Sequence, residues 1–153
     1  DLNSWIIKHT KLLTDLRREL SQDYKKHKTE FRLELNFEDK CIIVGKADCV
    51  EEGENEVVFY DCKTGAPDEA HKIQLQLYMW MDRKMGLHPD KTLKGELVYG
   101  TQHLSVSEPD ERFEEGIQYF IEQILNPNAL KSPGDCCKNC DIMKKECSDC
   151  IFG

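Results

Sequence analysis

Residues 45–78 read GKADCVEEGENEVVFYDCKTGAPDEAHKIQLQLY. Asp48 and Asp61 stand at the ends of two apolar runs joined by the polar segment 51–55, the pattern of a β-hairpin. Lys63 follows Asp61 at the alternate position, so the two share a face while Cys62 points to the other. Two acids and a lysine at one end of a hairpin make a costly core unless they are paired or hold a cation.

Outward from this stretch the chain alternates between two periods. Phe31, Leu33, Leu35 and Phe37 alternate with Arg32, Glu34 and Asn36, the period of a half-buried strand. Glu38 and Asp39 make a turn into a second strand over 41–50, where Gly45 and Ala47 are small enough for another element to come close. Val57, Val58, Phe59 and Tyr60 form a third, and the three are expected to be antiparallel. Before them, Trp5, Ile6, His9, Leu12, Leu13, Leu16 and Leu20 recur at helical spacing over 4–20. After them, Asp68 is placed to cap a helix over 69–85 that ends before Gly86. Strands are expected at 93–99 and 103–106. A helix follows over 110–125, with Phe113, Ile117, Phe120, Ile121 and Ile124 as its buried face. This order predicts an α/β sandwich around a mixed sheet.

At 153 residues the chain holds one domain with a real core and no second large one. Its charge of −8 disfavours indiscriminate phosphate binding, but a local groove in which divalent metals carry the positive charge remains compatible with it. Over 8–28 the lysines and arginines outnumber the acids, which describes either a solvated face or one wall of a DNA groove. No apolar run is long enough to span a membrane, and no signal-type segment opens the chain. With no initiating methionine, Asp1 is expected to follow further upstream sequence.

If the hairpin is paired across 51–55, Asp48 lies beside Asp61. Two carboxylates are the minimum for holding Mg²⁺ or Mn²⁺, which keep several waters and take few protein ligands. The backbone carbonyl of Cys62 is a further candidate ligand, and a lysine beside such a metal can orient a water or offset charge on phosphate oxygens. The chemistry this predicts is metal-dependent phosphodiester hydrolysis. The bland alternative is a surface cross-strand pair of Asp61 and Lys63.

G-K-A-D, then D-C-K-T-G, then Q-L-Q-L-Y resembles the RecB-like branch of the PD-(D/E)XK nucleases, whose pattern is G-x-x-D, D-x-K-T-G and Q-x-x-x-Y. The resemblance implies a restriction-endonuclease-like core and a deoxyribonuclease of exonuclease or flap type, working in recombination, repair, replication or CRISPR adaptation. It makes Asp48 and Asp61 metal ligands and Lys63 the catalytic lysine. Gln74 and Tyr78, at i and i+4 of one helix, would line the site and contact DNA or order the lysine; otherwise they are a polar helix face. His9 fits the family's early metal-binding histidine, against the plain alternative of a core-edge residue, and Trp5 stands where the pattern has glycine. Glu30 resembles an acidic position of the same branch. His27, His71, His88 and His103 match no motif and are read as surface or loop residues.

Five of the eight cysteines, Cys136, Cys137, Cys140, Cys147 and Cys150, crowd the C-terminus. Clustering argues for a metal site in a reducing, intracellular and cytoplasmic setting rather than a disulfide scaffold. Cys137, Cys140, Cys147 and Cys150 have the spacing to close a tetrahedral Zn²⁺ site, with Cys136 as an alternate for Cys137. Some CRISPR-associated relatives in the branch carry a [4Fe–4S] cluster at a similar tail, which is the alternative occupant. The expected division is a nuclease core over 1–130 and a cysteine-rich tail over 131–153. The expected partner is DNA, as single strands or duplex ends, with helicase, recombination or CRISPR-adaptation proteins alongside. Two rivals stand: a catalytically inactive nucleic-acid-binding or scaffolding module of the same fold, and a zinc-knuckle interaction domain.

Overall fold

The structure, a computed structural model, describes residues 1–20 and 27–128. Two compact units divide the chain, Asp1–Arg112 and Phe113–Gly153. In the first, α1 (Leu2–Leu20) precedes three strands, β1 (His27–Phe37), β2 (Cys41–Glu52) and β3 (Glu56–Cys62). Then come α2 (Glu69–Met85), β4 (Thr92–Tyr99) and β5 (Gln102–Ser107). The second unit carries α3 (Arg112–Leu125). All five clustered C-terminal cysteines lie outside the described residues.

The five strands form one mixed sheet in the order β1-β2-β3-β4-β5. β1, β2 and β3 are antiparallel neighbours, β4 runs parallel to β3, and β5 returns antiparallel to β4. The α2 crossover between β3 and β4 is what a parallel pair requires. Its boundaries follow local chemistry: Asp68 accepts a hydrogen bond from the Ala70 N–H at 2.9 Å, and Gly86 ends the helix at φ 63°. That left-handed backbone favours glycine.

The two helices cover opposite faces. Leu16 of α1 is buried with Cys62 and Val98, whereas Leu75 of α2 lies against Gly95. Val98 and Gly95 are three apart on β4 and so face opposite ways. Phe59, Leu75, Met79, Leu93 and Leu97 are almost wholly buried and anchor the α2 side.

β1 begins at His27, earlier than apolar alternation predicts, because its first residues are polar and are held by the ladder to β2 (Lys28↔Val50, Thr29↔Cys49). The buried face expected for the last helix is corrected as well. Only Ile121 of α3 is buried, while Phe120 and Ile124 are 62% and 65% exposed. An apolar stripe states that a helix is amphipathic without stating what covers it.

Candidate active site

The site forms where β2 and β3 part. Their ladder starts at Cys49↔Tyr60; continued one rung further it sets Asp48 opposite Asp61, and two rungs further Ala47 opposite Cys62. The Cys62 N–H instead donates to Asp48 Oδ2 at 2.7 Å, so a side chain occupies the end of the ladder.

On the other side of β2 the rung between Glu30 and Asp48 is missing from the β1 ladder, and Glu30 has φ 54°. Gly45 faces Tyr78 of α2, yet Cys49, four residues on, joins the cluster beneath α1. An unbroken strand presents both on one face, so β2 changes face near Asp48. Irregularities of this kind re-aim side chains beside functional sites.

The parted strands open a cleft of about 600 Å³. Asp48, Asp61, Lys63, Gln74 and His9 all line it, and Cys62 forms part of its wall. Tyr78 stands behind, only 4% exposed. A directional chain of hydrogen bonds fixes the lysine. The Tyr78 hydroxyl donates to the Lys46 carbonyl at 3.0 Å, and Gln74 Nε2 donates to the Tyr78 oxygen at 2.7 Å. Gln74 Oε1 then accepts from Lys63 Nζ at 2.7 Å. The reverse amide orientation would face an NH₂ group against an ammonium, so the lysine itself sets the glutamine. Burial pushes the Tyr78 phenol upward and keeps it a donor, although the bond from Gln74 opposes that shift.

Lys63 Nζ also lies 2.7 Å from Asp61 Oδ2, but off the hydrogen-bonding directions, so this buried oxygen has charge attraction without a hydrogen bond. Burial pushes the Asp61 carboxyl above the ordinary carboxylate range; Lys63 opposes this, and the charge of Asp48 adds to it. A divalent cation relieves both the burial cost and the repulsion, so the donor set fits one. Among the described residues no three His, Cys, Asp or Glu side chains are grouped so as to hold a metal ion like a cage. His9 Nε2 lies 3.6 Å from Asp48 Oδ2, beside the acid pair without completing such a cage.

His71, expected at the surface, lines the cleft and its Nδ1 lies 2.6 Å from the Tyr99 hydroxyl. It sits three residues before Gln74 on the same helix face, a spacing that was available in the sequence. Lys46 and Glu30 form an ion pair on the cleft wall. Of the other histidines only His27 is corrected: it is half-buried on β1, 3.2 Å from Glu51. His103 is at the surface on β5, 3.8 Å from Glu19, and His88 lies in the loop after α2, where it bonds the buried Asp82 at 2.7 Å. The burial of Cys49 and Cys62 raises their thiols to about 11 and about 12, so both stay protonated at neutral pH.

A sequence model described as the PD-(D/E)XK nuclease superfamily matches residues 2–145. No curated protein matches. Seven solved chains match. One, described as "Crystal structure of SSO0001", is 21% identical, with 80% of this chain and 70% of that chain aligned at a TM-score of 0.44.

Proposed function

We propose, from the premise that this chain belongs to the PD-(D/E)XK nuclease superfamily, that it hydrolyses DNA phosphodiester bonds with Mg²⁺ or Mn²⁺ held by Asp48 and Asp61. The observation that carries the reading is the convergence of the two acids with Lys63 in one cleft, the lysine fixed by the Gln74–Tyr78 chain.

A divalent cation bound there supplies positive charge to the phosphate oxygens and acidifies a water. The chain's own residues do the rest. Burial raises the proton affinity of Asp61, so protons compete with a cation for it and loading the site is opposed by acid. Lys63, with Asp61 and Gln74 on two sides, keeps its remaining donor capacity for the attacking water or a non-bridging phosphate oxygen. The carbonyl of Cys62 and the imidazole of His9 are the further candidate ligands.

We place the enzyme in the RecB-like branch, as an exonuclease or flap-type nuclease of recombination, repair, replication or CRISPR adaptation. The basis is the G-x-x-D, D-x-K-T-G and Q-x-x-x-Y series and the way Tyr78 sits against Gly45, which ties the first motif to the third. Cys137, Cys140, Cys147 and Cys150 are proposed to hold Zn²⁺, in preference to [4Fe–4S], on spacing alone. No helix among the described residues is long and apolar enough to cross a membrane.

Labelled single- and double-stranded DNA incubated with Mg²⁺, Mn²⁺ or EDTA tests the proposal. Cleavage that needs the metal is expected; no cleavage under any metal would sink it.

A further inference from the structure

Trp5 is a large aromatic residue that lines the cleft together with Leu13 and a set of polar and charged side chains. It lies one helical turn before His9, and the two rings stack with centroids 4.8 Å apart and planes within 12°. Both line the cleft that holds Asp48 and Asp61. The stack covers one face of the indole, yet Trp5 remains 47% exposed, so its other face is open. The second tryptophan, Trp80, is buried against Phe37 and lines none of this space.

A second groove, about 410 Å³, shares Lys63, Thr64 and Gly65 with the first and carries Lys8 and Lys11 of α1. An acidic chain therefore presents an aromatic face and two lysines along one stretch of α1, on either side of the Lys63–Gly65 wall. Aromatic faces interleaved with basic groups are what a single nucleic-acid strand binds, bases on rings and phosphates on cations.

We infer that the open face of Trp5 is a stacking platform for the nucleobase next to the phosphate held at Asp48 and Asp61. Trp5 is then a specificity-determining residue that favours an unpaired strand over a closed duplex. This rests on the nuclease reading above. A base inside a duplex has both faces occupied by its neighbours and must be unstacked before an indole can take it. An unpaired base offers its face at little cost, and the phosphates that follow run toward Lys8 and Lys11.

The test measures binding, with Ca²⁺ replacing Mg²⁺ to hold off cleavage. The ligands are a short oligothymidylate and a blunt duplex of equal length, and tryptophan fluorescence is read alongside affinity. Wild-type fluorescence is expected to be quenched by the single strand, with the quench lost in Trp5→Leu because Trp80 is shielded. Trp5→Ala and Trp5→Leu are expected to weaken single-strand binding by roughly 5- to 150-fold, the range for one lost base–aromatic stack. Trp5→Phe is expected to restore most of it, and duplex binding to change by less than about twofold on the same scale. The Mn²⁺-induced rise in Tm should be the same in Trp5→Leu as in wild type, which separates stacking from a disturbed His9. Single-strand affinity unchanged in Trp5→Leu, or an equal loss on both ligands, overturns the inference while leaving the nuclease reading standing. A wild-type protein that binds neither ligand overturns both.

Discussion

Replacing Gly45 by alanine tests whether the site is built as described. A Cβ on Gly45 would lie 2.8 and 2.9 Å from Cε1 and Cδ1 of the Tyr78 ring, whereas ordinary contact begins at 3.4 Å. The ring would have to retreat by about 0.6 Å, yet Tyr78 is only 4% exposed and the same Cβ would also meet Met81 Sδ at 3.5 Å. A retreat of that size carries the 3.0 Å bond from its hydroxyl to the Lys46 carbonyl out of bonding range. Overpacking of this kind costs about 1–3 kcal/mol, which for a chain of this length lowers Tm by roughly 2–12 °C. The larger effect falls on Lys63, because a displaced Tyr78 releases Gln74 and Gln74 releases the ammonium. Misplacement on this scale is expected to cost about 10- to 100-fold in kcat. Thermal unfolding and single-turnover cleavage measure the two effects separately. Adding Tyr78→Leu should recover stability by vacating the space, without recovering rate. Wild-type Tm and wild-type rate in Gly45→Ala would refute the argument.

The remaining predictions follow from the same contacts. Tyr78→Phe keeps the ring and removes the hydroxyl that bonds Gln74 and Lys46, so kcat should fall by about tenfold or more for a stability loss of only about 0.5–1.5 kcal/mol. In metal-free protein the folded state holds the Asp61 proton more tightly than the unfolded chain. Stability should therefore fall as pH rises from the ordinary aspartate range through the raised one, and Asp61→Asn should flatten that slope in urea titrations at stepped pH. The same variant should lose the Mn²⁺-induced stabilisation, about 2.7 kcal/mol at a hundredfold excess over Kd in the wild type. Protein purified without oxygen should contain Zn²⁺ and show no visible absorption; a coloured protein containing iron and sulfide would assign the cysteines to [4Fe–4S] instead.

Much of the fold was legible because its signals are local. The α2 boundaries could be read from Asp68 and Gly86, since a cap and a left-handed glycine act through their own neighbours. The mixed sheet followed from apolar alternation, except at the start of β1, where backbone pairing rather than side-chain pattern makes the strand. Asp48, Asp61, Lys63 and Gln74 could be gathered from motif order, and the structure brings all four to one cleft. Not legible were relations that depend on three-dimensional register. The change of face in β2 near Asp48 leaves no mark in composition. His71 carried a usable signal in its i to i+3 spacing to Gln74, but its bond to Tyr99 bridges 28 positions of sequence. The smallness of Gly45 pointed to a close neighbour, but not to Tyr78 of α2 as that neighbour.

The most direct test of the central claim compares single-turnover cleavage of labelled DNA by wild type and Lys63→Ala in Mn²⁺, with matched circular dichroism and Tm as the check on folding. Lys63 is held by Asp61 and Gln74 and faces the cleft, so its removal should cost about 10²- to 10³-fold in rate, the usual loss for one transition-state donor. A folded Lys63→Ala protein that cleaves as fast as wild type would contradict the account.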